Sequence, residues 1–185
     1  MSAMRPVILL TGSPGVGKST IIKRIAELVA GGAAGFYTRE VSRNQERVGF
    51  EIVTLDGARS TLAVTGADHS LSNHVPFGDF TINLDAMEQL AVPALQQAAA
   101  AGKIVVIDEI GPMQIFSRSF CQVIAHILDD DRIAVIGTIV ERPYAFADAV
   151  KQHPRVTTIH VSVENRDSIA SKIYSEIAGH DYEIP

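Results

Sequence analysis

Apolar residues in this chain fall into two patterns. Short continuous runs read as strands buried on both faces, and runs recurring every three to four residues read as helices. Val7-Ile8-Leu9-Leu10 is the first continuous run, and Ile21, Ile22, Ile25, Leu28 and Val29 follow at helical spacing. Gly31-Gly32 stops that helix. Residues 35–41 and 48–55 read as strands, and Asp56-Gly57 as a tight turn into a third strand at 59–64. Residues 66–78 are polar and turn-rich and read as a loop, 80–84 as a short strand, and 85–101 as a helix that Pro93 kinks or restarts. A second apolar run, 103–109, ends in two acids. Ser117 is placed to cap a helix whose apolar face is Phe120, Val123, Ile124, Ile127 and Leu128. Strands at 132–139 and 155–163 follow, with a short helix to Gln152 between them. A last helix carries Ile169, Ala170, Ile173, Tyr174 and Ile177 on one face. Alternating strands and helices predict an α/β fold with a mostly parallel sheet in a single domain, 1–185. The meander predicts an antiparallel β insertion at about 35–65, equally readable as a flap near the site or a plain sheet extension.

Composition narrows the function. The 185 residues are 46% hydrophobic, enough for a core, and carry a formal charge of −5 without a Lys/Arg run, which argues against nucleic-acid binding. The single cysteine, Cys121, gives no disulfide framework and no thiolate metal site, and sits beside the apolar face of its helix as a packed thiol. His69 and His74 are five residues apart with no obvious third ligand and read as loop histidines. Residues 1–6 lack the apolar stretch that should follow a signal peptide's start, and no segment approaches a membrane span. A cytoplasmic protein with no membrane partner is expected.

The candidate chemistry lies in two stretches. Gly12-Ser13-Pro14-Gly15-Val16-Gly17-Lys18-Ser19-Thr20 matches G-x-x-x-x-G-K-[ST] between a strand and a helix, the context this phosphate-binding loop needs. Its glycines let successive N–H groups curl around a phosphate, and the helix opening at Gly17-Lys18 adds its positive end. Lys18 reaches for the β- and γ-phosphates, and the Ser19 hydroxyl for Mg²⁺. Asp108 and Glu109, at the end of the second run, fit the matching acidic motif: Asp108 to hold Mg²⁺, Glu109 to orient or deprotonate the attacking water. Thr138, late in its strand, reads either as a sensor of the γ-phosphate or water or as an ordinary β-branched strand residue. Asn165 with Ser168 reads as a helix cap and its reciprocal partner; alternatively, Asn165 and Arg166 read as contacts to the nucleotide base.

Beyond Walker A, three further stretches carry a family resemblance: Gly35-Phe36-Tyr37-Thr38-Arg39-Glu40-Val41, Arg47-Val48-Gly49-Phe50, and Val106-Ile107-Asp108-Glu109-Ile110-Gly111-Pro112-Met113. With Glu164-Asn165-Arg166, they resemble the small nucleoside-triphosphatase family of the cancer-related type over nearly the whole chain. The resemblance implies a RecA-like, three-layer P-loop core and slow, Mg²⁺-dependent hydrolysis of ATP, GTP and other nucleoside triphosphates. Lys18, Ser19, Asp108 and Glu109 would inherit its phosphate, metal and water roles. Residues 141–154 depart from the family pattern, so no arginine or lid carries over from them. Arg39, Arg118 and Arg142 are candidates for a charge-neutralising arginine, none favoured, and slow turnover is the physical expectation where such a group is missing. Two alternatives stand beside hydrolysis. One is a nucleotide or small-molecule kinase, though 141–155 is short for an arginine-bearing lid. The other is a nucleotide-switched binding module.

Overall fold

Each continuous apolar run becomes a strand whose two faces both meet helices. In the computed structural model, which describes residues 4–29, 31–68 and 70–178, nine strands form one sheet. They are β1 (Val7–Thr11), β2 (Ala33–Arg43), β3 (Glu46–Thr54), β4 (Arg59–Thr65), β5 (His74–Phe77), β6 (Phe80–Asn83), β7 (Ile104–Ile110), β8 (Val135–Ile139) and β9 (Val156–His160). Their order is β5-β6-β4-β3-β2-β7-β8-β1-β9. The pairs β2-β7, β7-β8, β8-β1 and β1-β9 are parallel. The pairs from β2 out to β5 are antiparallel.

The helices are α1 (Lys18–Leu28), α2 (Leu84–Ala86), α3 (Val92–Ala100), α4 (Arg118–Asp129), α5 (Ala145–Lys151) and α6 (Arg166–Ala178). Alternate strand residues feed opposite cores. Val7 and Leu9 of β1, with Val105 and Ile107 of β7, pack with α3, α4 and α5. Ile8 and Leu10, with Ile104 and Val106, pack with α1 and α6. That two-sided burial is why β1 and β7 read as unbroken apolar runs. The result is a three-layer α/β core with an antiparallel extension.

The extension is larger than the expected insertion at 35–65. It continues through β5 and β6 to Asn83, so part of the stretch read as a loop at 66–78 is strand. Pro76 hid β5: proline cannot donate to a ladder and is tolerated in this outermost strand, where its run looks like a turn. The helix expected at 85–101 is also subdivided. Residues Met87–Ala91 form a π-helical turn that runs on into α3, and Pro93, second in α3, has no N–H to give to that turn. Ser117 caps α4, accepting from the Phe120 N–H at 3.0 Å while its hydroxyl donates to Glu88 at 2.6 Å. The Cys121 thiol lies 3.5 Å from the Ile115 carbonyl oxygen, and burial pushes its pKa up. His69, residues 1–3 and the tail at 179–185 lie outside the described residues.

Arg155 proves to be a structural brace. Its guanidinium donates to the carbonyls of Ile127 and Leu128 at the end of α4, and to those of Asp130, Ile133 and Arg5, at 2.5–3.0 Å. It caps the carboxyl end of α4 and ties the start of β1 to the loop before β8. Arg155→Ala is expected to destabilise the fold by about 3 kcal/mol, because several carbonyls lose charged donors at once. Arg155→Lys is expected to recover only part of that, since an ammonium lacks the planar fork. Urea unfolding of the three proteins checks both.

Candidate active site

The site forms where β1, β7 and β8 end. Gly12, at φ 135°, turns the chain out of β1. A side chain there would place its Cβ 2.6 Å from the Val161 carbonyl oxygen, so only glycine lets the loop run this close to the backbone after β9. Gly17, at φ 115°, is the N-cap of α1. Among the described residues no side chain caps α1, and no acid sits in its first turn, which leaves the N–H groups of that turn available to an anion. Lys18 folds back, its Nζ donating to the carbonyls of Gly12 at 2.6 Å and Ser13 at 3.0 Å. Ser13, Pro14 and Gly15 are open to solvent.

Asp108 is 4% exposed. Strand β8, lying between β1 and β7, delivers Thr138, whose hydroxyl donates to Asp108 Oδ1 at 2.6 Å. Asp108 Oδ2 is buried with no hydrogen-bond partner among the described residues. Burial pushes the Asp108 carboxyl above the usual carboxylate range, while Thr138, Ser19, Lys23 and Lys18 pull it back. Glu109 follows across a cis peptide bond. Burial first, and then the neighbouring Asp108 charge, raise its pKa, with Lys18 opposing. An orphaned buried carboxylate oxygen, held from its other side and close to Lys18 and Ser19, is a donor set suited to a divalent cation.

A family model described as NTPase matches residues 7–174. The chain belongs to this NTPase family. It is 36% identical over 168 residues to the nucleoside-triphosphatase THEP1 of Thermotoga maritima, covering 91% of this chain and 93% of that protein. It is 33% identical over 177 residues to the human cancer-related nucleoside-triphosphatase, covering 90% and 93%. The crystal structure of THEP1 from Aquifex aeolicus superposes with a TM-score of 0.80 at 32% identity, over 90% of this chain and 96% of that one. The solution structure of the human enzyme superposes with a TM-score of 0.81 at 32% identity, over 96% and 100%. As a member of the NTPase family, the chain is an NTP hydrolase with a P-loop fold.

Within this NTPase, the remaining candidates separate by what their side chains already hold. Thr138 donates its hydroxyl proton to Asp108 and so orients the acidic motif. The Asn165 amide is engaged at both ends: its Oδ1 accepts from the Ser162 N–H at 2.8 Å, and its Nδ2 donates to the His160 carbonyl at 2.9 Å. It shapes the turn into α6, with one amide N–H and one oxygen lone pair left over. Arg166 does reach the loop, its Cδ 3.8 Å from where a Cβ on Gly17 would stand. Arg39 is paired with Glu51 at 2.5 Å, and Arg118 and Arg142 are exposed. Lys23 was invisible to sequence reasoning. Five residues beyond Lys18 on α1, its Nζ lies 4.0 Å from the centre of the Tyr37 ring, and Tyr37 is in register with Asp108 across β2 and β7. Among the described residues no helix is long and apolar enough to cross a membrane.

Proposed function

We propose that this NTPase hydrolyses ATP, GTP and other nucleoside triphosphates to the diphosphate and phosphate, slowly, with Mg²⁺, in the cytoplasm. The observation that carries the reading is Asp108: a buried carboxylate with one oxygen fixed by Thr138 and the other without a hydrogen-bond partner among the described residues, beside a phosphate loop. The backbone of residues 12–20 would wrap the phosphates, and Lys18 would swing from its two carbonyls to the β- and γ-phosphate oxygens. Ser19 and Asp108 would hold Mg²⁺, which when bound supplies positive charge to the phosphate oxygens. Glu109 would accept a hydrogen bond from the attacking water and align it with the γ-phosphorus. Its raised pKa makes it a stronger base than an ordinary glutamate. Arg166 would lie along the nucleotide beside Gly17. Slow turnover is supported by the arginines: Arg39 and Arg155 are committed to other partners, and Arg118 and Arg142 stand exposed.

A phosphate-release screen across ATP, GTP, CTP and UTP, each with Mg²⁺ and with EDTA, tests the reading. Release from several nucleotides with Mg²⁺, and loss of at least ~10-fold with EDTA, is expected, since charge stabilisation on the phosphoryl group is the main catalytic term. Silence with every nucleotide alone, followed by turnover once a hydroxyl acceptor is added, would make the chain a kinase.

A further inference from the structure

Gly111 follows the acidic motif and touches neither nucleotide nor metal in the proposed reaction. Its surroundings are nonetheless specific. A Cβ built on Gly111 would lie 2.5 Å from Glu109 Oε1, 2.7 Å from Cδ and 2.9 Å from Cγ. The carboxylate of Glu109 therefore rests directly on the bare α-carbon of Gly111. Gly111 does not occupy the left-handed region, so its own backbone conformation does not call for glycine. What calls for glycine is the carboxylate lying against it.

The backbone there has little room to yield. The Gly111 carbonyl accepts from the N–H groups of Gln114 and Ile115, both at 3.1 Å. The preceding carbonyl, of Ile110, accepts from the Val140 N–H at 3.1 Å, and Ile110 is buried in register with Ile139. Gln114 is fully buried and donates from Nε2 to the Thr38 hydroxyl at 3.0 Å, fastening the turn to β2. When a methyl group appears at position 111, the group free to move is the Glu109 side chain. We infer that Gly111 is a positioning residue for hydrolysis, whose missing side chain is the seat that fixes where the Glu109 carboxylate stands. The inference rests on the reading of Glu109 as the water-aligning group.

Gly111→Ala should then lower kcat by about 10²-fold, the usual cost of displacing a reacting group by about 1 Å. KM and the affinity for Mg·nucleotide, read with a fluorescent ATP analogue, should stay within about twofold, because the carboxylate acts on the water and not on nucleotide binding. A double-mutant cycle separates positioning from general damage. In the Glu109→Gln background, adding Gly111→Ala should change kcat by less than about twofold, since the group it displaces no longer acts. Glu109→Ala removes Cγ and the carboxylate together and should make Gly111→Ala nearly neutral relative to Glu109→Ala alone. Wild-type kcat in Gly111→Ala overturns the inference, as does an equal loss in the wild-type and Glu109→Gln backgrounds or a matching loss of nucleotide affinity. If Gly111→Ala does not fold, the Glu109→Ala/Gly111→Ala protein decides: recovery of a cooperative thermal transition supports the contact, and failure overturns it. Full turnover by Glu109→Gln alone fells the Glu109 reading itself, whatever Gly111→Ala does.

Discussion

Glu109→Gln yields a protein that binds Mg·nucleotide as before and hardly turns it over. The swap keeps the shape lying against Gly111 and removes only the negative charge and the ability to take a proton. A positioned general base contributes about 10²–10⁴ in rate. A loss of that size is expected in phosphate release, with nucleotide titration unchanged or slightly tighter, because the charge repelling Asp108 has gone. Unchanged phosphate release would remove Glu109 from the reaction and leave the phosphate loop without an identified water-aligning partner.

Lys18→Ala acts on the other half of the site and loses more than turnover. Lys18 draws the carbonyls of Gly12 and Ser13 together, so its loss loosens the curl of the loop before nucleotide arrives. It also removes the ammonium assigned to the phosphate oxygens. Losing one preorganised donor to developing charge costs about 10²–10³ in kcat. Here the nucleotide affinity should fall as well, which separates this variant from Glu109→Gln in the same two assays. Lys18→Arg is not expected to rescue, because the wider guanidinium does not fit between two carbonyls shaped around an ammonium. Retained activity in Lys18→Ala would defeat the P-loop reading as a whole.

The two halves of the site were legible for different reasons. The loop at residues 12–20 is a local device: its glycines, lysine and serine are neighbours in sequence because they are neighbours around the phosphate. Asp108 and Glu109 were legible because a strand buried on both faces must end in something, and here it ends in acids. The supports of these groups could not be read the same way. Thr138 reaches Asp108 across 30 positions, and Gln114 reaches Thr38 across 76. Arg155 joins carbonyls as far off as Arg5, 150 positions away, and looked like the end of a short lid-like segment. These pairings depend on strand order, which hydrophobic pattern alone does not specify. Asn165 likewise holds the turn it sits in, through a backbone N–H and a carbonyl that its place after the last strand did not announce. Strand β5 escaped notice because an outermost strand needs neither two-sided burial nor a full set of donors, so Pro76 disguised it.

Strand β2 has a different kind of neighbour on each side: β7 runs parallel to it from Ala33 to Tyr37, and β3 runs antiparallel to it from Phe36 to Arg43. The antiparallel half is thus continuous with the catalytic half, with no linker at which the two could part. Peeling β3 away turns β2 into an edge, and peeling β2 away bares the backbone flank of Asp108 to water. Local opening in proteins proceeds by cooperative units, and pairing along β2 couples the strand of the acidic motif to the meander. How long the site stays assembled is thus governed in part by strands that carry none of its chemistry.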